Sequence, residues 1–184
     1  IPKEGTRKLT VQKMQRNLAV WFFQFYIGGH DYIDVALLKW TDIHKKRLRF
    51  KRFKLRNKSN GGPMIDNMLC DAAMKIIEQY GDKTNTRIFS FIPDPVTQNG
   101  KYVDYRRNVN EYLKKISTQL KLKEGIKTKS PRYIFRTYAG ENLIHDLIVM
   151  KLQGHTPEGI TFSYQGVISY KVLDEAHLKI INLE

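Results

Sequence analysis

Two short segments, Lys129-Ser130-Pro131-Arg132-Tyr133 and Leu152-Gln153-Gly154-His155, carry the residues on which the prediction of the fold depends most. Residues 133–154 separate the arginine of the first segment from the histidine of the second. A third segment, Thr161-Phe162-Ser163-Tyr164, follows shortly after the histidine. A lysine, an arginine, a histidine and a tyrosine therefore succeed one another within the last third of the chain.

Each of these residue types has a role that it can play at a phosphodiester. A guanidinium such as that of Arg132 binds two non-bridging phosphate oxygens in a bidentate fork. The imidazole of His155 can donate or accept a proton, or hold an oxygen. The phenol of Tyr164 can attack phosphorus and keep the DNA end as a covalent ester. The combination makes these residues candidates for a site of DNA strand exchange.

The composition fits one folded domain with a strong positive charge. The chain has 184 residues, of which 41% are hydrophobic, and this is enough to bury a core. Its net charge of +14 suits a polyanionic partner, although a basic protein with no particular partner is the alternative. The single cysteine, Cys70, excludes an intramolecular disulfide and a cysteine-cluster metal site. No segment approaches the roughly 20 apolar residues of a membrane span.

The hydrophobic pattern predicts a mainly helical chain with one basic, β-rich insert. The first helix is predicted to begin at Thr10 and to stop at the Gly28-Gly29 pair. The alternation of apolar and basic residues predicts a half-buried strand over residues 48–55, and Pro63-Met64-Ile65 begins a return strand. Further helices are predicted over residues 32–39, 67–80, 104–122, 132–143, 145–153 and 174–183.

In their order and separation, these segments resemble the catalytic domain of the tyrosine recombinases, the phage-integrase and Xer-like family, over nearly the whole chain. The family's His-x-x-Arg-His box corresponds to residues 129–133, with Lys129 in place of the first histidine. The family's Leu-Gly-His corresponds to Gln153-Gly154-His155, and Thr161–Tyr164 resembles its Thr-x-x-Tyr ending. Residues 34–43 resemble the segment that enters the family's first strand, and Lys58-Ser59 stands where the family has its hairpin lysine.

The resemblance implies an α+β fold, mainly α-helical, with a small antiparallel β-sheet, and one catalytic domain over residues 1–184. The family's N-terminal core-binding domain would lie before Ile1. The implied function is that of a site-specific recombinase, the integrase of a mobile element, which cleaves and rejoins DNA through a 3′-phosphotyrosyl intermediate without metal or other cofactor. The implied catalytic residues are the nucleophile Tyr164, the phosphate-binding Arg132, His155, Lys129, and Lys58 as general acid on the 5′-oxygen.

The resemblance also implies partners, which are double-stranded DNA, other protomers in a synaptic tetramer and accessory DNA-bending proteins, in the cytoplasm at the nucleoid. On this interpretation the basic run over residues 45–58 crosses a groove or the backbone of the duplex, and on the alternative it is a solvated edge strand protected by charge. The C-terminal apolar face over residues 172–183 packs either within the chain or against a neighbouring protomer. The predicted DNA-binding residues are Lys51, Arg52, Lys54, Arg56 and Arg136.

One position departs from the family pattern in a way that affects the chemistry. The family's first arginine falls on Asp31, whose carboxylate would repel the phosphate that an arginine is meant to bind. Three alternatives stay open. The chain is an active recombinase that recruits another cation, for which Arg16 and Arg136 are candidates; a weakened relative that binds DNA without cutting it; or a relaxing enzyme similar to type IB topoisomerases.

Overall fold

A computed structural model of the chain describes residues 4–57, 62–155 and 168–182, with side chains from residue 11 onward. Over these residues the fold is α+β and mainly α-helical, with a three-stranded antiparallel sheet of order β1-β2-β3, as predicted. The strands are β1 (Ile43–His44), β2 (Arg47–Lys51) and β3 (Met64–Met68). The helices are α1 (Glu4–Tyr26), α2 (Tyr32–Leu37), α3 (Asp71–Tyr80), α4 (Asn99–Gln119), α5 (Ser130–Glu141), α6 (Asp146–Leu152) and α7 (Tyr170–Ile181).

The end of α1 brings the following residues close to the start of α5. Gly28 and Gly29 have φ values of 112° and 69°, which favour glycine and stop the helix where the sequence predicted. A Cβ added to Gly29 would lie 3.1 Å from the Cα of Arg132 and 3.0 Å from the carbonyl oxygen of Pro131. The predicted start at Thr10 was wrong, because α1 already begins at Glu4.

The sheet confirms the predicted half-buried strand but ends it earlier. In β2, Leu48 and Phe50 are buried while Arg49 and Lys51 are exposed. The strand stops at Lys51 and not at residue 55, since a short 3-10 turn occupies Phe53–Leu55. The backbone N–H of Phe53 donates to Oδ1 of Asp34 at 2.7 Å. In a longer β2 strand this N–H would instead donate to a neighbouring strand. The return strand is present as β3, paired with β2 from Arg47↔Met68 to Lys51↔Met64.

Besides α1, three helices begin several residues away from their predicted starts. The helix predicted over residues 67–80 begins only at Asp71, because β3 takes up the residues before it as far as Met68. Conversely, α4 begins at Asn99 rather than at residue 104, and α7 begins at Tyr170 rather than at residue 174. These boundaries depend on which residues the tertiary contacts recruit, so a local pattern places them only approximately.

Two hydrophobic clusters hold these elements together, and the second settles how α7 packs. The first cluster joins α1, the sheet, α3 and α4, and the rings of Phe23 and Phe89 meet there edge to face at 5.1 Å between centroids. The second joins α1, α5, α6 and α7, with Phe135 at its centre. Leu173 and Ile180 of the C-terminal apolar face are buried in it, so α7 packs within the chain, while Val172 is exposed.

An ion-pair cluster fixes α7 to the sheet as well. Nη1 of Arg47 lies 2.6 Å from Asp174 on α7, and Nε of the same residue lies 2.5 Å from Asp66 on β3. The hydroxyl of Tyr170 donates to Asp66 at 3.0 Å, and its ring lies under the Arg47 guanidinium. Among the helices of the described residues, none has both the length and the apolar character that crossing a membrane requires.

Candidate functional site

Arg132 is a buried arginine in the first turn of α5. Its relative exposure is 9%, and Nη1 donates to the carbonyl oxygen of Gly29 at 3.3 Å. Nη2 contacts Nε2 of His155. Burial and the nearby Arg52 lower the pKa of Arg132. The guanidinium nevertheless remains charged at neutral pH, because an arginine starts from a very high pKa. The arginine and the histidine of the two sequence segments thus lie together at one site.

The glycine before His155 has a specific structural reason. Gly154 has φ of 62° at the end of α6, where the N–H of His155 donates to the carbonyl oxygen of Met150 at 2.8 Å. A Cβ added to Gly154 would lie 2.8 Å from the side chain of Ile65 and 3.2 Å from Cδ of Arg52. Both the left-handed conformation and the lack of space favour glycine. This turn directs His155 towards Arg132.

The imidazole of His155 is neutral at physiological pH. Burial, followed by the charges of Arg132 and Arg52, lowers its pKa to about 4. Arginine nitrogens only donate hydrogen bonds, so Nε2 of His155 accepts from Arg132. The proton of the neutral ring therefore lies on Nδ1, which can donate to an oxygen or exchange a proton.

Arg52 also enters this site, although the sequence placed it among DNA-binding residues of an exposed run. Its relative exposure is 6%, and Nη2 lies 2.7 Å from Oδ2 of Asp31. Nε lies 3.7 Å from Oδ2 of Asp34, whose pKa burial raises to about 6. One signal in the sequence could have indicated this position, because residue 52 continues the inward-facing series of Leu48 and Phe50.

Two buried amide side chains position the segments that form the site. The amide nitrogen of Gln153 lies 3.3 Å from the carbonyl oxygen of Gly28 and 3.4 Å from that of Arg132. The amide nitrogen of Asn67 donates to the carbonyl oxygens of Ile27 and Leu152 at 2.9 Å and 2.8 Å. The ends of α1 and α6, the start of α5 and β3 are therefore joined by hydrogen bonds. Gln153, which the sequence treated only as a departure from the family's leucine, has this positioning role.

The other predicted residues lie around this centre or outside the described part of the chain. Lys129 is exposed just before α5, with its ammonium 5.4 Å from the ring centre of Tyr133. Arg136, one turn after Arg132, is exposed and lies 3.9 Å from Asp146. Lys58 and Tyr164 fall outside the described residues. The predicted DNA-binding residues Lys51, Lys54 and Arg56 have exposed side chains.

Of the two candidate substitutes for the missing arginine, neither is a buried partner of the Arg132–His155 pair. The Arg16 guanidinium lies 3.8 Å from the ring centre of Phe91. The charge of Arg136 contributes to lowering the pKa of His155, but less than the charge of Arg52 does. Among the residues that the structure describes, no group of three or more histidine, cysteine or carboxylate side chains could hold a metal ion.

Comparisons with protein-family models, with curated proteins and with solved structures find no match to this chain.

Proposed function

We propose that the chain is the catalytic domain of a site-specific tyrosine recombinase, the integrase of a mobile element, with the tyrosine-recombinase catalytic fold. The observation that carries the proposal is the contact of buried Arg132 with His155, two residues that lie on different helices or their ends. Buried guanidiniums are costly unless they meet an anion, and a phosphodiester supplies one. The strong positive charge of the chain supports the same partner.

In the proposed reaction the chain stabilises charge on a transferring phosphate. Arg132 binds the non-bridging oxygens, whose negative charge grows in the pentavalent transition state. The Nδ1–H of neutral His155 donates to one of these oxygens or passes a proton. Preorganised donors in a site with little water give more stabilisation than they would in solution.

The covalent step exchanges one phosphate ester for another. The phenol oxygen of Tyr164 forms a bond to phosphorus and gives its proton to solvent water, while the bond from phosphorus to the 5′-oxygen breaks. Lys58 protonates the leaving 5′-oxygen as general acid, and Lys129 is a neighbouring cation that binds an oxygen or handles a proton. Since the ester bond is conserved as a 3′-phosphotyrosine, the reverse reaction rejoins a strand without ATP. Nearby cations lower the cost of ionising a phenol whose pKa is ordinarily about 10.

The proposed DNA contacts are the exposed basic residues. Lys51, Lys54, Arg56 and Arg136 have exposed side chains and would contact the phosphates of the duplex. The further partners are other protomers in a synaptic tetramer and accessory DNA-bending proteins, and the proposed location is the cytoplasm at the nucleoid.

A suicide-substrate assay tests the proposal. The full-length protein and its Tyr164→Phe variant are incubated with nicked duplexes that carry the end sequences of the element. A denaturation-resistant protein–DNA band that is absent with Tyr164→Phe is expected. Tight binding without this band in the parent protein would favour a non-catalytic DNA-binding relative. Relaxation of a supercoiled plasmid that lacks any core site would favour an enzyme similar to type IB topoisomerases.

A further inference from the structure

We propose that Arg52 is the second phosphate-binding guanidinium of this site, and that Asp31 is the carboxylate that positions it. The inference rests on the proposed function, because it assigns a role within that reaction. It replaces the two candidates that the sequence offered, Arg16 and Arg136. It also gives Asp31 a supporting role where the sequence indicated a repulsive one.

Arg52 belongs to the same cluster as Arg132 and His155. Gly154 connects them, because it directly precedes His155 and its missing Cβ leaves the space beside Cδ of Arg52. The positive charge of Arg52 contributes to lowering the pKa values of both Arg132 and His155. A phosphate bound beside the Arg132–His155 pair would therefore lie within the electrostatic reach of Arg52.

Two guanidiniums lie in one buried site, where Asp31 and Asp34 offset part of their charge. Arg52 and Arg132 are 6% and 9% exposed, and like charges with so little water around them repel each other. An anion between the two guanidiniums turns this repulsion into attraction, and the scissile phosphate is such an anion.

Asp31 and Asp34 do not use all of the N–H donors of Arg52. Arg52 contacts Asp31 through Nη2 at 2.7 Å, and its buried Nε lies 3.7 Å from Asp34 without a hydrogen bond among the described residues. A guanidinium has five N–H donors, so these two carboxylates fix its position without using all of its donors. Asp34 adds to this by accepting from the N–H of Phe53, which fixes the backbone immediately after Arg52.

Asp31 thus stands at the family's first-arginine position as the counter-ion of an arginine supplied from elsewhere in the fold. The family pattern implies a guanidinium on the residue itself. Here the strand β2 ends just before Arg52, and its side chain reaches the same region from the sheet side. The charge of the Asp31 carboxylate is balanced by this ion pair and does not face the phosphate alone.

The test separates binding of phosphate charge from a merely structural role. Arg52→Ala, Arg52→Lys and the control Arg107→Ala are compared with the parent protein in covalent-adduct formation on nicked duplexes. Arg107 is a suitable control because it is an exposed arginine on α4 that forms an ion pair with Asp104 in its own helix turn. Each protein is assayed on a normal scissile phosphate and on a methylphosphonate, which lacks one negative charge.

On the normal phosphate, we expect Arg52→Ala to slow adduct formation by about 100-fold or more, as loss of a preorganised donor does. Arg52→Lys should recover part of the rate, because it keeps the charge but loses the fork. On the methylphosphonate, the rate of Arg52→Ala should approach that of the parent protein, since the charge that Arg52 neutralises is absent. Arg107→Ala should match the parent protein on both substrates.

Two results would overturn the inference while leaving the proposed function intact. One is an Arg52→Ala variant that forms the adduct on normal phosphate at the parental rate. The other is an equal loss of rate on both substrates, with a lowered melting temperature, which indicates a structural role. If the parent protein itself forms no adduct that depends on Tyr164, the proposed function fails and the assignment of Arg52 fails with it.

Discussion

The buried histidine of α7 makes the stability of the protein depend on pH in a way that a single substitution can isolate. His177 is fully buried, and its ring meets that of Phe135 edge to face at 5.6 Å between centroids. Burial lowers its pKa from 6.5 to about 4, and the charge of Arg47 also lowers it. The Tyr26 backbone and Asp174 raise the pKa, but by less than burial lowers it. The folded protein therefore keeps this imidazole neutral over a range in which the unfolded chain protonates it.

The sign and size of the effect follow from proton linkage. Because the folded pKa is the lower one, the stabilisation is present above the unfolded pKa and is lost as the pH falls towards the folded value. From the two pKa values, the free energy of unfolding should fall by about 2 kcal/mol between pH 7 and pH 5 through His177 alone. The loss should reach about 3 kcal/mol below the folded pKa.

Urea denaturation at pH 7, 6 and 5 measures this loss when the parent protein is compared with His177→Leu. Other titrating groups contribute equally to both proteins, so the difference between their pH profiles reports on His177. The variant should lose about 2 kcal/mol less than the parent protein over this range. Parallel profiles, with the same difference in unfolding free energy at every pH, would refute the reasoning.

Three further predictions concern the site and the attachment of α7. In a urea titration, Gly154→Ala should lower the free energy of unfolding by about 1–3 kcal/mol, because residue 154 has a positive φ and no space for a Cβ. The control Gly140→Ala should not destabilise α5, because no atom lies near the added Cβ. Arg47→Ala should cost about 2 kcal/mol and increase amide hydrogen exchange in α7, since the pairing with Asp174 is lost; unchanged exchange there would contradict this. The imidazole of His155 should remain neutral at about pH 5.5 in an NMR titration, because its pKa is lowered; a midpoint near the ordinary value would contradict this.

The ion pair of Arg52 with Asp31 changes how an acidic residue at the position corresponding to the family's first arginine is interpreted. Asp31 alone, read along the sequence, indicates a weakened site. Paired with a buried guanidinium at 2.7 Å, the same carboxylate becomes part of the support for a cation. The two interpretations differ in whether a cation lies close to the Asp31 carboxylate, and the sequence does not give that distance. The methylphosphonate comparison decides between them in solution.

Several features of the fold follow from local sequence alone. The glycine pair at residues 28–29 stops α1, because an L side chain disfavours the positive φ values found there. The alternation in β2 predicts which side chains are buried, since successive residues of a strand point to opposite faces. The helical spacing of apolar residues predicts the seven α-helices of the described residues, although not all of their starting points. These are properties of backbone conformation and of periodicity, which neighbours in the sequence determine.

The composition of the site, in contrast, was decided by tertiary structure. Arg132 and His155 were predicted from the resemblance to a family. Their contact depends on the start of α5 lying next to the end of α6. Arg52 reaches Asp31 only because β2 and the start of α2 meet across the first hydrophobic cluster. Likewise, the apolar face of α7 could have been covered by this chain or by another, and the cluster around Phe135 covers it within the chain. The local sequence pattern predicts which face of an element is apolar or charged. Packing between residues distant in sequence determines which other element covers that face.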